Sequence, residues 1–385
     1  MGRGETGEGP IGRILARLPA TRSAWLLLGV RLGLIAALLL ELFITAHRQR
    51  PDLLDPTAIG TDPSTYYAAG LRLNDGHNLY GPLLPGDRPV PGYPGSLPAP
   101  LLSPPLVAVA MRLPAALLGD ASMTALWLGC IALIVVFTVW FALRGRPPQL
   151  ATLAVVLALG LPLTLAAGVP YKYPGLNSPL SFAALSGNLN AYLLGLFVLV
   201  WWAASTGHDR VAGVAGALAT VLKLGPIVLL WWFVMRRRWQ SVIAFVAGLA
   251  AFGVVGLVFA GVGASLDYAH LALGGGIQPQ GFAVADMLRG LLHVGLTSAS
   301  GSTYVVVGLG IVAIAALRDR PRAAFAVVIA TTIYSSPVVL AGNLALFLAV
   351  AAPWAIDRAT ARPDGDTPRG AMWERLLARA PRSPG

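Results

Sequence analysis

With 385 residues, 56% of them hydrophobic and only 12% charged, the chain has too little polar surface to cover a water-soluble body of its size. A formal net charge of +11 would suit a nucleic-acid partner, but most arginines sit in short loops between apolar runs, where they set membrane topology. No nucleic acid is expected as a partner. The single cysteine, Cys130, excludes a disulfide framework, and only Lys172 and Lys223 of the 28 basic residues are lysines.

In chain order, residues 1–22 are polar and basic, and the apolar run after them is too long for a signal-peptide core. That run, about 24–46, reads as a first span leaving the N-terminus in the cytoplasm. It carries Arg31 and Glu41, both costly in lipid, which should face the bundle interior or the span's ends. Residues 47–100 are rich in proline and aromatics and hold no spanning run, so they form a first outer loop. Apolar runs follow at about 101–118, 122–143, 150–168, 185–205, 211–235, 240–262, 301–317, 323–340 and 342–356, which predicts an all-α membrane bundle of about ten spans. The membrane domain covers 23–357, and a polar tail at 358–385 closes the chain in the cytoplasm.

Placing Arg144/Arg146, Arg210, Arg236–Arg238 and Arg318/Arg320/Arg322 in the cytoplasm requires two segments to bend. Residues 101–118, with Pro104, Pro105 and Pro114, must be re-entrant or interfacial. Residues 211–235 must be a hairpin of two short helices turning near Lys223 and Pro226. The stretches 47–121, 169–186 and 263–300 then share the outer face.

Four stretches carry chemistry-bearing residues. The first is Asp62-Pro63 with Tyr66, Tyr67 and, further on, Tyr80. With Leu71 and Leu73 it predicts an amphipathic helix on the membrane surface. Asp62 then reads either as a helix N-cap before Pro63 or as a functional carboxylate, and the two are compatible. The second joins Tyr171-Lys172-Tyr173 to Gly187-Asn188-Leu189-Asn190 at the head of a span, where the asparagines cap a helix or hold sugar hydroxyls. The third is Lys223 within an apolar segment, either snorkelling to a headgroup or facing an anionic ligand. The fourth holds Asp267-Tyr268-Ala269-His270, the triplet Gly274–Gly276 (which reads most simply as a flexible turn), Asp286, Arg289 and His293. No metal-ligand spacing, phosphate-cradling loop or serine-nucleophile elbow occurs, and neither a metal nor a cofactor is expected.

At these stretches the chain resembles glycosyltransferase family 87, the polyprenyl-phosphate-sugar-dependent membrane transferases of the GT-C class, which include actinobacterial α-mannosyltransferases and arabinofuranosyltransferases. Three matches carry the resemblance: Asp62 with Tyr66–Ala69 and Gly76-x-x-Leu79-Tyr80; Gly187-Asn188-Leu189-Asn190; and Ala212-Gly213 through Lys223-x-x-Pro226 to Arg236–Trp239. The likeness covers about Arg22 to Asp357. The chain departs where the family has Tyr-Pro-Pro, since Tyr93-Pro94 is followed here by Gly95. It departs again after Ser336-Pro337, where no histidine follows. These departures mark a divergent member and bear on the acceptor and the donor sugar.

The resemblance implies a GT-C-like fold in the cell membrane with an extracytoplasmic active site. It implies a polyprenyl-phosphate sugar donor, mannose before arabinofuranose, and a glycolipid or glycan acceptor of the cell envelope. Transfer would be a single displacement with Asp62 as general base. Lys223 would face the donor phosphate, with Lys172 and Arg289 behind it. Asn188 and Asn190 would orient hydroxyls, and Tyr66, Tyr67, Tyr80 and His270 would contact sugar or acceptor. A transporter or lipid flippase is the rival class; its inverted repeats are absent from the sequence.

Overall fold

A computed structural model of the protein describes residues 61–80, 101, 103–144, 183, 187–273, 280–281, 299–336, 338–339 and 341–353. The first span, the run at 150–168, the outer stretch 81–100, Lys172, the glycine triplet, Arg289 and both tails lie outside them.

The outer-loop helix α1 spans Thr61–Asn74. Asp62 lies in its first turn, where a negative charge suits the helix dipole, and Pro63 follows where a missing N–H costs nothing. It ends as His77 N–H donates to the Arg72 carbonyl at 2.8 Å and Gly76 N–H to that of Leu73 at 3.3 Å. Tyr66, Tyr67, Ala69 and Arg72 are all buried, so α1 is packed inside the protein and does not merely lie on a membrane surface.

Its main neighbour is α2, Pro105–Leu117. Thirteen residues with Pro114 inside reach about 20 Å, short of a hydrocarbon core about 30 Å thick. Asn74 and Arg112 clamp α1 to α2 through paired bonds of 2.9 and 3.0 Å. The Tyr67 hydroxyl donates to the Leu118 carbonyl at 3.1 Å.

Helix α3, Asp120–Arg144, follows, and later α4, Asn190–Ser205, and α5, Asp209–Leu222. A break at Lys223 and a 3₁₀ turn, Gly225–Ile227, lead to α6, Val228–Met235. The pair α5–α6 is a hairpin: Gly216 lies against Leu229, while Asp209 at one end pairs with Arg238 at the other. The expected turn near Lys223 is therefore where the chain reverses. Helix α7 runs over Trp239–Leu273, with non-helical backbone at Gly261. It lies alongside α5, and Gly213 permits this, because a Cβ there would strike the Ser241 carbonyl. Helices α8, Ala299–Ala316, and α9, Pro321–Tyr334, complete the described bundle with the short α10, Ala341–Leu344, and a 3₁₀ stretch, Ala345–Ala351. A two-residue parallel pairing joins Gln280–Gly281 to Val338–Val339, a small exception to the all-α expectation.

The core is aromatic. Trp201, Trp232 and Phe325 meet with ring centroids 5.0–5.8 Å apart, between α4, α6 and α9. Outside it the surface is apolar: Ile243, Val246, Val254, Val258, Phe259, Val262 and Leu266 of α7 are exposed, as are Leu126, Leu133 and Phe137 of α3. Two described helices are long and apolar enough to cross a membrane, Asp120–Thr138 and Trp239–Ala272. Only 11% of the second is buried, so it is not the core helix of a water-soluble protein, and an apolar face of this extent belongs in lipid.

The basic loops gather at one end of the bundle. Asp209 pairs with Arg238, and Asp319 lies within electrostatic reach of Arg236. The start of α4, the break at Lys223 and the end of α9 lie at the other.

Candidate active site

The site is assembled where three motifs far apart in sequence meet. Gly187 has φ 70, a left-handed conformation that favours glycine, and a Cβ there would collide with the ring of Pro63. The indole N–H of Trp127 donates to the Gly187 carbonyl at 2.8 Å, and its ring packs between Tyr66 and Tyr192 at 5.4 and 4.6 Å. These contacts fix Gly187-Asn188 against the first turn of α1.

Asp62 is partly buried, and its carboxylate accepts a hydrogen bond from Asn188 Nδ2 at 2.8 Å. The Asn188 Oδ1 accepts from the Asn190 backbone N–H at 2.9 Å, which settles which way the Asn188 amide points. Burial pushes the Asp62 carboxyl up from its ordinary 3.8 to about 6, against the opposing pull of Lys223 and of the bond from Asn188. A carboxylate held there is ionised at neutral pH yet basic enough to take a proton.

Lys223 stands at the chain reversal with extended backbone (φ −157°, ψ 127°), its N–H still bonded to the Ala219 carbonyl. Its ammonium donates to Asn190 Oδ1 at 3.2 Å. Asn190 is fully buried, and its Nδ2 donates in turn to Asn343 Oδ1 at 2.8 Å. A continuous polar line thus runs from Asp62 through Asn188 and Asn190 to Lys223, with Asn343 behind it.

The other residues singled out by sequence fall into distinct settings. The structure brings Asp62, Asn188, Asn190 and Lys223 together. Tyr66 and Tyr67 are both 6% exposed and packed within protein, so neither offers an open ring face. Tyr80 is partly buried, its hydroxyl donating to the Ser103 carbonyl at 2.7 Å and its ring 5.8 Å from that of Tyr268. Beside it Asn78 Nδ2 donates to Asp267 Oδ2 at 3.1 Å, tying the outer loop to the far end of α7. His270 is exposed on the last turn of α7. The amides of Asn188 and Asn190, read from sequence as helix caps or as holders of sugar hydroxyls, are engaged by Asp62, the Asn190 backbone N–H, Lys223 and Asn343. The fully buried Asn190 has no face open to a sugar. Lys172 and Arg289 lie outside the described residues.

Asn343 is the residue that sequence reasoning missed. The signal was an amide within the apolar run at 342–356, the same anomaly that singled out Lys223. Among the described residues no group of three or more His, Cys, Asp or Glu could hold a metal ion.

The sequence model of glycosyltransferase family 87 matches residues 176–341. That interval contains Asn188, Asn190 and Lys223; Asp62 and Asn343 lie outside it. No curated protein and no solved structure matches the chain.

Proposed function

We propose that the chain is a membrane glycosyltransferase of the kind described by family 87, moving mannose from a polyprenyl-phosphate donor to a hydroxyl of an envelope glycolipid or glycan. The observation that carries this reading is the polar line joining the Asp62 carboxylate to the Lys223 ammonium through Asn188 and Asn190. One group is suited to accept a proton, the other to face a phosphate.

In the proposed reaction Asp62 takes the proton of the acceptor hydroxyl as its oxygen forms the new glycosidic bond. The bond between the sugar's anomeric carbon and the phosphate oxygen breaks. The polyprenyl phosphate leaves with the electron pair, and the anomeric centre inverts. Lys223 meets the negative charge that grows on the leaving phosphate, in a setting whose low polarity strengthens the attraction. Lys172 and Arg289 are second-rank candidates for the same phosphate. Asn188 holds Asp62 and Asn190 holds Lys223. Tyr80 and His270 stay candidates for the acceptor because they retain exposure.

The depth of the site supports a lipid-borne donor. Helix α5 has 14 residues, about 21 Å, and it begins at the basic end of the bundle. With that end in the cytoplasm, Lys223 lies within the outer leaflet of a bilayer whose hydrocarbon core is about 30 Å thick. A donor phosphate carried on a polyprenyl chain reaches that depth from the membrane, whereas a nucleotide sugar does not.

The test offers purified protein in nanodiscs radiolabelled polyprenyl-phosphate-mannose or the arabinofuranose donor, with an envelope lipid extract as acceptor. Transfer from the mannose donor alone supports the reading. Transfer from the arabinofuranose donor alone keeps the reaction and replaces the sugar.

A further inference from the structure

We infer that Asn343 is a positioning residue that orients the Asn190 amide and, through it, aims the Lys223 ammonium into the site. Lys223 can only donate, so the atom of Asn190 that faces it must be the carbonyl oxygen, Oδ1. The Asn190 amide therefore turns its Nδ2 the other way, and there it meets Asn343 Oδ1 at 2.8 Å. The acceptor on Asn343 selects this orientation. With the amide reversed, an N–H of Asn190 would face the ammonium, donor against donor, and the 3.2 Å bond to Lys223 would be lost.

Burial sharpens the selection. Asn190 is 0% and Asn343 3% exposed, so water cannot replace a lost partner for either amide at this depth. Asn343, on α10, and Lys223, at the hairpin, meet different atoms of the one Asn190 amide, Nδ2 and Oδ1. The start of α4 is thus gripped between two segments, and the geometry of the cation depends on a residue that touches neither sugar nor phosphate. The inference rests on the reading of Lys223 as the donor-phosphate ligand only for its consequence in catalysis; the orientation itself is independent of that reading.

The experiment uses full-length protein in nanodiscs and the fact that Lys172 and Lys223 are the chain's two lysines. Acetic anhydride labelling is read by mass spectrometry as the ratio of Lys223 to Lys172 in the wild type, Asn343→Leu and Asn343→Asp. Removing the acceptor with Asn343→Leu raises the Lys223 labelling ratio about fivefold, the factor carried by one hydrogen bond of ordinary net strength. Asn343→Asp keeps an acceptor oxygen and restores the wild-type ratio. If Asn343→Leu does not fold, Asn343→Ala removes the same acceptor with Asn190 left in place, and the same rise is expected. An unchanged ratio in the folded variant overturns the inference. Transfer kinetics on the same samples separate the two claims. A raised KM for the lipid donor with Asn343→Leu, recovered in Asn343→Asp, supports both. A raised labelling ratio with an unchanged donor KM upholds the positioning role and rejects Lys223 as the phosphate ligand.

Discussion

Asn188 Nδ2 donates to Asp62 Oδ2 at 2.8 Å, across 126 residues of sequence. The bond occupies one carboxylate oxygen and leaves the other to receive a proton. Because Asn188 Oδ1 is itself held by the Asn190 backbone N–H at 2.9 Å, the donor cannot turn away. The carboxylate and the span carrying the lysine's partner are therefore set in one frame.

The pH dependence follows from the environment of Asp62. Burial raises its carboxyl from 3.8 to about 6, and a general base works only when ionised. Transfer should therefore be full above neutrality and fall as pH drops through about 6, where an unperturbed carboxylate would hold activity down to about 4. Asn188→Ala removes a bond that favours the charged form, so it should move the midpoint upward. Single-turnover transfer measured from acid to mildly alkaline pH reads both effects, and a midpoint near the ordinary carboxylate value of about 4 in the wild type would count against the assignment.

Lys223→Met keeps length and removes charge. If the ammonium meets the donor phosphate, the catalytic efficiency for the lipid donor should fall about 10- to 100-fold, the range for a hydrogen bond to a charged group. The acceptor KM should stay within about twofold, since Asp62 and the outer loop are left in place. Steady-state kinetics with each substrate varied in turn separate these outcomes.

Gly187→Ala tests the seam between two motifs. The new Cβ collides with Pro63, and the backbone at φ 70 disfavours any L side chain. A loss of about 1–3 kcal/mol of stability is expected from strain, with a fall in transfer larger than the stability loss explains because Pro63 carries Asp62 with it. Thermal unfolding in detergent and transfer at a temperature where the variant is folded give the two numbers.

Much of this was legible in the sequence, for identifiable reasons. Lys223 and Pro226 inside an apolar run announced the break, because a charge and a missing N–H are both costly in a lipid-facing helix. The shortness of α2 was foreshadowed by Pro104, Pro105 and Pro114. The pairing of Asp62 with Asn188 was not legible, since no periodicity links residues 126 apart. The same holds for the burial of Tyr66 and Tyr67: an aromatic residue in a polar loop reads alike whether it faces lipid, sugar or protein, and only the packing of α2 and Trp127 decides. Asn343 escaped because an amide in a mostly apolar run carries a weaker signal than a charge.

The turn between α6 and α7 supplies a control remote from the site. Arg237 has φ 53, a left-handed conformation costing a non-glycine residue about 1 kcal/mol, and its N–H bonds to the Val234 carbonyl at 2.9 Å. Arg237→Gly should stabilise the protein by about that amount and leave transfer unchanged, as differential scanning fluorimetry and the transfer assay would record.

Asp62 acts as the base of the proposed lipid-donor glycosyl transfer. Transfer of radiolabelled mannose from polyprenyl phosphate in nanodiscs, wild type beside Asp62→Asn, decides whether it does. The substitution keeps the size of the side chain and an oxygen for Asn188, so the fold should persist while transfer falls about 10²- to 10⁴-fold, the contribution of a positioned base. Near-wild-type turnover in a folded Asp62→Asn variant would contradict the account.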